Sequence, residues 1–229
     1  MTKVDTTLRC EHVYVIGASG SGKSYQVKQR IKSFKRVLIW DPDDEYGAMP
    51  GIKTTHLASE LMDFIASGDG IYRFVPKTMD SKMLCKCFGF ISLAAFVWGK
   101  CAFVGEEIAD VTSASKAASG WGVVLRRGRK RGVTVFAVTQ RPAEADKTVF
   151  TQAAKIWSGR LDGEGDIARV AANMRIDPQL ISSLGELEFF ELDRRTGELK
   201  GGYKGKGIIV RENWNAPLIV NGFTKRKGG

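Results

Sequence analysis

A chain of 229 residues with 43% hydrophobic and 26% charged side chains is long enough to bury the core of one α/β domain. Its formal net charge of +10 favours a polyanionic partner, although a basic surface kept for solubility is the alternative. The four cysteines and two histidines lack zinc-site spacing, and the longest apolar run, 88–98, is too short to span a bilayer.

The first predicted strand, at 12–17, leads into a phosphate-binding loop. The motif G-x-x-x-x-G-K-[ST] is matched in full by Gly17, Ala18, Ser19, Gly20, Ser21, Gly22, Lys23 and Ser24. A helix is predicted over 22–33, so that backbone N–H groups and the helix N-terminus converge on a polyphosphate. We expect Lys23 to reach the β- and γ-phosphates and the Ser24 hydroxyl to bind Mg²⁺. ATP and Mg²⁺ are the predicted cofactors; a chance match on a glycine-rich turn is the alternative.

Apolar runs of strand length alternate with helical segments along the rest of the chain. This pattern predicts an α/β fold, a mainly parallel sheet with helices on both faces. Further strands are predicted at 36–41, 71–75, 101–106, 133–139 and 155–161, and further helices at 57–67, 80–98, 116–131, 146–153, 164–174 and 177–184.

The C-terminal part of the sequence is more β-like. Segments 187–192 and 207–210 flank a turn at 194–198 and predict a hairpin, followed by a basic tail. We therefore expect a core over 1–185 and an extension over 186–229 within the same domain.

Two adjacent carboxylates end the predicted strand 101–106. Glu106 is expected to bind Mg²⁺ together with Ser24, and Glu107 to polarise the attacking water. Consecutive strand residues point to opposite faces, so the strand must end or bend there. Gln140 ends the next predicted strand and is placed to sense the γ-phosphate. The alternative is that these polar side chains are simply solvated.

Three segments after the loop form an ordered set of motifs. Residues 106–110, 128–133 and 137–142 resemble the core of the HerA/FtsK superfamily of DNA-pumping ATPases. The segment 41–46 resembles the D-P-x-x-E-Y stretch of the HerA branch. The likeness extends from about residue 12 to 172, and the motif order is more specific than the loop alone.

The resemblance implies a RecA-like (ASCE) P-loop NTPase fold and a homohexameric ring with ATP at the subunit interfaces. It also implies that an arginine from one subunit completes the next subunit's site. The candidates for that arginine are Arg126, Arg129 and Arg160. The candidate contacts to double-stranded DNA, independent of sequence, are Lys116, Arg127, Lys130 and Arg131.

Within this superfamily, the chain most resembles the minimal genome-packaging ATPases of icosahedral viruses that enclose an internal membrane. The resemblance implies ATP hydrolysis coupled to translocation of double-stranded DNA into a preformed capsid. Capsid vertex proteins would then be partners, and the protein would be located in the host cytoplasm or at the packaging vertex. Direct insertion into a membrane is not expected. The alternatives are a cellular or plasmid DNA translocase, a nucleotide-gated DNA-binding or assembly factor that does not pump, and a P-loop small-molecule kinase.

Overall fold

The computed structural model describes residues 4–114 and 119–220. The strands are β1 Val13–Ile16, β2 Arg36–Trp40, β3 Ile52–Thr55, β4 Gly70–Phe74, β5 Ala102–Gly105, β6 Thr134–Thr139, β7 Lys155–Ser158, β8 Glu188–Asp193, β9 Leu199–Tyr203 and β10 Lys206–Arg211. The helices are α1 Lys23–Ile31, α2 Ala58–Ser67, α3 Ser81–Trp98, α4 Ile108–Val111, α5 Ser119–Arg127, α6 Thr148–Gln152, α7 Glu164–Met174 and α8 Pro178–Ser182, with a 3₁₀ helix at Gly128–Arg131.

All the described strands join one sheet in the order β10-β9-β8-β7-β1-β6-β5-β2-β4-β3. The pairs from β7 to β3 are parallel, and β8, β9 and β10 are added antiparallel. The carboxyl ends of β1, β6, β5 and β2 therefore lie side by side at one margin of the sheet, the carboxyl edge. Their amino ends lie at the opposite margin, the amino edge. The predicted α/β class, a mainly parallel sheet of the P-loop NTPase type, is confirmed.

The central strands are apolar throughout because both faces of the sheet are covered. Val13 and Val15 of β1 pack on one face with Val27 of α1, whereas Tyr14 and Ile16 pack on the other. Apolar side chains of α2, α3, α5, α6, α7 and α8 cover that second face. Buried strands therefore position the loops at the carboxyl edge rigidly.

Helix α3 lies close against α5. A Cβ atom added to Gly120 would lie 1.9 Å from the carbonyl oxygen of Gly89, so the two helix backbones touch where side chains are missing. Beside this crossing the Phe88 ring lies 5.4 Å from Trp40 and 5.1 Å from Trp121. The close approach lets the second face of the sheet be covered by a dense aromatic cluster.

By length and apolarity, α3 is the one helix of the described residues that could cross a membrane. The inner half of α3, including Phe88, Ile91 and Ala95, is buried against the sheet and α5. That packing accounts for the apolar residues of the inner face, whereas Phe90, Leu93 and Val97 of the same helix are exposed.

Four parts of the chain differ from the sequence prediction, and one of them is the short helix α4, which was not predicted. Of the helix predicted over 116–131, residues 119–131 form α5 followed by the 3₁₀ helix, which ends where Gly132 adopts a φ of 71°, and 116–118 lie outside the described residues. The edge strand β3 was not predicted because its residues Lys53 and Thr54 are polar. The tail contains three strands, because the turn at 194–198 joins β8 to β9. Strand β9 was not predicted, because Gly201 and Gly202 are typical of a loop.

Candidate functional site

The phosphate-binding loop crosses the carboxyl edge between β1 and α1. The backbone N–H of Ala18 donates to the carbonyl oxygen of Arg160 at 2.7 Å. The backbone N–H of Gly17 donates to the carbonyl oxygen of Thr139 at 3.2 Å. These bonds tie the start of the loop to the ends of β7 and β6. Gly22, the N-cap of α1, has a φ of 92°, a left-handed conformation that turns the following N–H groups toward the loop interior.

The side chains of Lys23 and Ser24 begin α1 inside this loop. Lys23 is buried and its Nζ donates to the carbonyl oxygen of Ala18 at 3.1 Å. Burial lowers the pKa of Lys23, and the neighbouring Glu107 and Glu106 oppose that shift. The amino group is therefore held at the position expected for the β- and γ-phosphates, and the two carboxylates favour its charged form.

The two acidic residues after β5 face the same cavity as Lys23. The strand ends at Gly105, and Glu107 adopts a φ of 43°, so the chain turns sharply between the two carboxylates. Burial raises the pKa of Glu106 to about 8, and it also raises the pKa of Glu107. The bend resolves the problem that adjacent residues of a continuous strand would point apart.

Gln140 follows β6, which lies between β1 and β5. Its backbone N–H donates to Oε2 of Glu107 at 3.3 Å, and its side chain lines the cavity beside the loop. The three strands thus bring the phosphate loop, the acidic pair and the amide to one place.

The cavity formed by these groups has a volume of about 250 Å³. Besides the loop, Glu106, Glu107 and Gln140, it is lined by Asp43 and Glu45, which the sequence analysis had not assigned to the site. Both belong to the 41–46 segment that resembles the D-P-x-x-E-Y stretch. Since β2 is parallel to β5 and adjacent to it, its carboxyl end brings this segment to the same edge.

A buried ion pair shapes that segment. The carboxylate of Asp41 accepts hydrogen bonds from the backbone N–H groups of Glu45 at 2.9 Å and Tyr46 at 3.0 Å. It also accepts one from the guanidinium of Arg73 at 3.0 Å. The turn so formed directs the Tyr46 hydroxyl into the core, where it donates to Oε1 of Glu106. Asp41, Tyr46 and Arg73 are thus positioning residues that sequence reasoning missed, because their contacts cross from one strand to another.

The oxygen atoms around the cavity fit Mg²⁺, a hard cation that prefers carboxylate, hydroxyl and phosphate ligands. Glu106 and Ser24 both line the cavity, as a shared role at the metal requires. Among the described residues no group of three or more acidic, histidine or cysteine side chains forms a ready metal cage. The donor set suits an ion that keeps waters and is bound largely through nucleotide phosphates.

A second cavity, of about 500 Å³, lies on the other side of the loop. Ser19 and Gly20 separate it from the first, and Arg160, Ser183 and Glu186 line it farther out. Two adjoining cavities that share the loop provide room for a whole nucleotide. Arg160 therefore lies beside the phosphate loop of its own subunit, where it pairs with Asp162 at 2.7 Å.

The other arginine candidates lie at the amino edge, a strand's length from the cavity. Arg126 is exposed near the end of α5. Arg129 donates to the carbonyl oxygens of Leu8 at 2.7 Å and Thr6 at 3.5 Å. Neither arginine is brought to the phosphate loop of its own chain.

The proposed DNA contacts are distributed unevenly. Arg127 and Lys130 are exposed at the amino edge, whereas the guanidinium of Arg131 lies 4.7 Å from the Phe96 ring centre. Lys116 lies outside the described residues, as does the basic tail beyond 220.

One further glycine supports the loop. A Cβ atom at Gly159, directly after β7, would lie 2.8 Å from the Cβ of Ser21. The absence of a side chain there lets β7 end against the loop. A strand that ends in a small residue beside the motif is the only sequence signal for this role.

Comparison with known proteins identifies relatives of this arrangement. Protein P9 of Pseudoalteromonas phage PM2 is 32% identical over 188 residues, which cover 80% of this chain and 83% of P9. No family model matches the chain.

Two solved structures share the fold. The genome packaging NTPase B204 from Sulfolobus turreted icosahedral virus 2, in complex with AMPPCP, aligns with a TM-score of 0.66 at 19% identity, over 84% of this chain and 96% of B204. VirB4 of Thermoanaerobacter pseudethanolicus aligns with a TM-score of 0.59 at 10% identity, over 90% of each chain. At these identities the likeness shows the shared fold.

Proposed function

The chain belongs to the family of protein P9 of phage PM2, and we propose that it hydrolyses ATP to move double-stranded DNA into a viral capsid. The observation that carries the proposal is the meeting of the phosphate loop, Glu106, Glu107 and Gln140 in one cavity on three adjacent strands. The fold shared with the packaging NTPase B204, solved with an ATP analogue, supports the same class of activity.

Each side chain has a part in hydrolysis. Lys23 and the N–H groups of the loop stabilise negative charge on the β- and γ-phosphates. Glu107, whose pKa burial raises toward the working range of a general base, orients the attacking water and accepts its proton. Gln140, bonded through its N–H to Glu107, couples the end of β6 to that carboxylate. When bound by Ser24 and Glu106, Mg²⁺ neutralises phosphate charge.

The arginine that completes the site comes from a neighbouring subunit of a ring, which we take to be hexameric. Arg126 suits this role best, because it is exposed, whereas Arg129 is engaged by the carbonyl oxygens of Leu8 and Thr6. Arg160 acts within its own subunit, beside the loop. The proposal places the ring at the packaging vertex, assembled from subunits made in the host cytoplasm.

The experiment that tests this function measures ATP hydrolysis by the full chain with and without duplex DNA, and displacement of a triplex strand from the same duplex. We expect duplex DNA to stimulate hydrolysis and ATP to drive displacement. Hydrolysis without displacement would favour a DNA-binding assembly factor, and phosphate transfer to a nucleoside or sugar would favour a kinase. No hydrolysis at a salt concentration where the duplex still binds would overturn the proposal.

A capsid partner separates packaging from a cellular or plasmid role. We expect the full chain to bind empty capsids of its own virus and to load them with duplex DNA in an ATP-dependent, nuclease-protected form. A translocase that ignores capsids would instead belong to conjugation or segregation.

A further inference from the structure

A cavity at the amino edge has no part in the nucleotide site. It has a volume of about 460 Å³ and lies where β1, β6 and β7 begin and β8 ends. Its polar lining consists mainly of arginines: Arg9, Arg129, Arg194 and Arg195. Among the described residues, the lining holds no acidic and no aromatic side chain.

The positive charge around this cavity is poorly compensated. Arg129 donates to the carbonyl oxygens of Leu8 and Thr6, and Arg194 donates to that of Phe150, so their partners are neutral backbone groups. Arg9 is exposed, and no hydrogen bond or ion pair links it to residues in the described ranges.

Arg195 is the exception, since it pairs with Glu11 at 2.8 Å and with Asp193 at 3.2 Å. Three of the four guanidinium groups around this cavity therefore have no carboxylate partner among the described residues. Bringing like charges together costs free energy, and an anion bound between them would recover it.

The chemistry of the lining specifies the anion. Guanidinium groups bind phosphate through paired N–H donors, and backbone carbonyls fix two of these groups in place before any ligand arrives. Without aromatic side chains to stack on bases, the cavity suits a phosphate backbone and not a nucleobase. The exposed Arg127 and Lys130 extend the basic surface beyond the cavity, as a polymer requires and a free nucleotide does not.

We infer that this arginine cavity binds the phosphate backbone of duplex DNA at the amino edge, away from the ATP cavity at the carboxyl edge. The inference rests on the proposed function, which makes duplex DNA the partner. It adds a contact surface that the basic residues 126–131 alone do not define. DNA held there is contacted at the ends of β6 and β7, the strands whose opposite ends hold Gln140 and Arg160. The same strands therefore connect the grip on DNA with the site of hydrolysis.

The test compares Arg9→Ala and Arg9→Glu with Lys53→Glu, the matched charge reversal on the exposed edge strand β3. Duplex affinity is measured by fluorescence anisotropy from 50 to 200 mM salt, with basal ATP hydrolysis as a second readout. Because Arg9 is exposed and lacks partners among the described residues, its variants are expected to fold; thermal unfolding checks this, and the alanine variant serves if the reversal is unstable.

We expect Arg9→Ala to weaken duplex binding about three- to tenfold and to lower the salt slope by about one, the contribution of one phosphate contact. Arg9→Glu weakens binding further, Lys53→Glu leaves it near wild type, and basal hydrolysis stays unchanged in all three. Wild-type duplex affinity and salt slope in both Arg9 variants, or an equal loss of affinity in Lys53→Glu, would overturn the assignment of the cavity to DNA. DNA-stimulated hydrolysis by the wild type would in that case still support the proposed function. Failure of the wild type to bind duplex would overturn both.

Discussion

The hydroxyl group of Tyr46 donates a hydrogen bond to Oε1 of Glu106 and so joins the turn after β2 to the end of β5. Both side chains are buried, and the turn that carries Tyr46 is itself fixed by Asp41. Burial raises the pKa of Glu106 to about 8, and the bond from Tyr46 opposes the rise. Tyr46 therefore fixes the orientation of the carboxylate expected at Mg²⁺ and favours its charged form.

Replacing Tyr46 by phenylalanine is expected to increase the Mg²⁺ concentration needed for half-maximal hydrolysis at pH 7 by about tenfold. Loss of a hydrogen bond to a charged group costs about 1.5–3 kcal/mol, and it leaves Glu106 more protonated. At pH 9 the defect shrinks, because a larger share of Glu106 is ionised in both proteins than at pH 7. The measurement is a Mg²⁺ titration of ATP turnover at the two pH values.

Tyr14→Phe is the matched control for this substitution. The Tyr14 hydroxyl is also buried, but it has no hydrogen-bond partner among the described residues. Its removal is expected to leave the Mg²⁺ requirement unchanged. Identical Mg²⁺ curves for the two variants would remove Tyr46 from the metal site.

Glu107→Gln is expected to lower ATP turnover by about 10²- to 10⁴-fold, the usual contribution of a general base. The amide still accepts the N–H of Gln140, so the geometry and ATP binding are retained. Single-turnover hydrolysis and binding of a fluorescent ATP analogue separate the two effects. Glu144→Gln, an exposed isosteric change, serves as control, and undiminished turnover in Glu107→Gln would assign the base elsewhere.

The sequence predicted those parts of the site that lie on one continuous segment each. The loop at 17–24, the pair Glu106–Glu107 and Gln140 all follow apolar strand patterns, and all line one cavity. The contacts of Tyr46 could not be predicted, because they require β2 to lie beside β5, which the strand order and not the local pattern determines.

The basic run at 126–131 shows the same limit of local reasoning. In the sequence alone, nothing distinguishes the roles of its five basic side chains. In the fold Arg131 stacks on Phe96, and Arg129 binds the backbone of Leu8, more than a hundred residues earlier. Only long-range packing separates a structural arginine from an exposed one.

Gly159→Ala is expected to weaken ATP binding about tenfold or more. The added methyl group would lie 2.8 Å from Ser21, so the phosphate loop must shift to admit it. Gly165→Ala is the control, because among the described residues its added Cβ would meet nothing within 4 Å beyond its chain neighbours and the backbone of α7 itself. It is expected to be neutral or to stabilise by about 0.5–1 kcal/mol. Binding of the ATP analogue and thermal unfolding are measured for both, and equal affinity would show that the loop tolerates the methyl group.

Arg126→Ala is expected to reduce ATP turnover by about 10³-fold or more without loss of ATP binding, as removal of an arginine finger does. If the finger acts on a neighbouring subunit, mixing this variant with Glu107→Gln restores part of the activity, because some interfaces then combine an intact Arg126 with an intact Glu107. Arg129→Ala is expected to change ATP turnover mainly through stability, since it releases Leu8 and Thr6. Absence of complementation in the mixture would place Arg126 outside the active site.

The buried His12 makes the fold sensitive to acid. Its Nδ1 accepts the backbone N–H of Val135 at 3.1 Å, its Nε2 lies 3.1 Å from the carbonyl oxygen of Leu125, and burial lowers its pKa from 6.5 to about 4. The unfolded chain therefore takes up a proton at a higher pH than the folded chain does. Stability is lost as the pH falls from about 6.5 towards 4, by on the order of 3 kcal/mol at the lower limit.

His12→Gln is expected to be less stable than the wild type at pH 7, because two buried hydrogen bonds are weakened, yet to lose less stability on acidification. Urea unfolding at pH 7, 6, 5 and 4 gives the free energy of unfolding of the variant and the wild type as a function of pH. Subtracting one profile from the other removes the contribution of the carboxylates, which both proteins share. His56→Gln changes the other, exposed histidine and is expected to keep the wild-type profile. Parallel profiles for the wild type and His12→Gln would show that proton uptake at His12 does not contribute, because a neutral buried imidazole must make the wild-type curve the steeper one between pH 6.5 and 4.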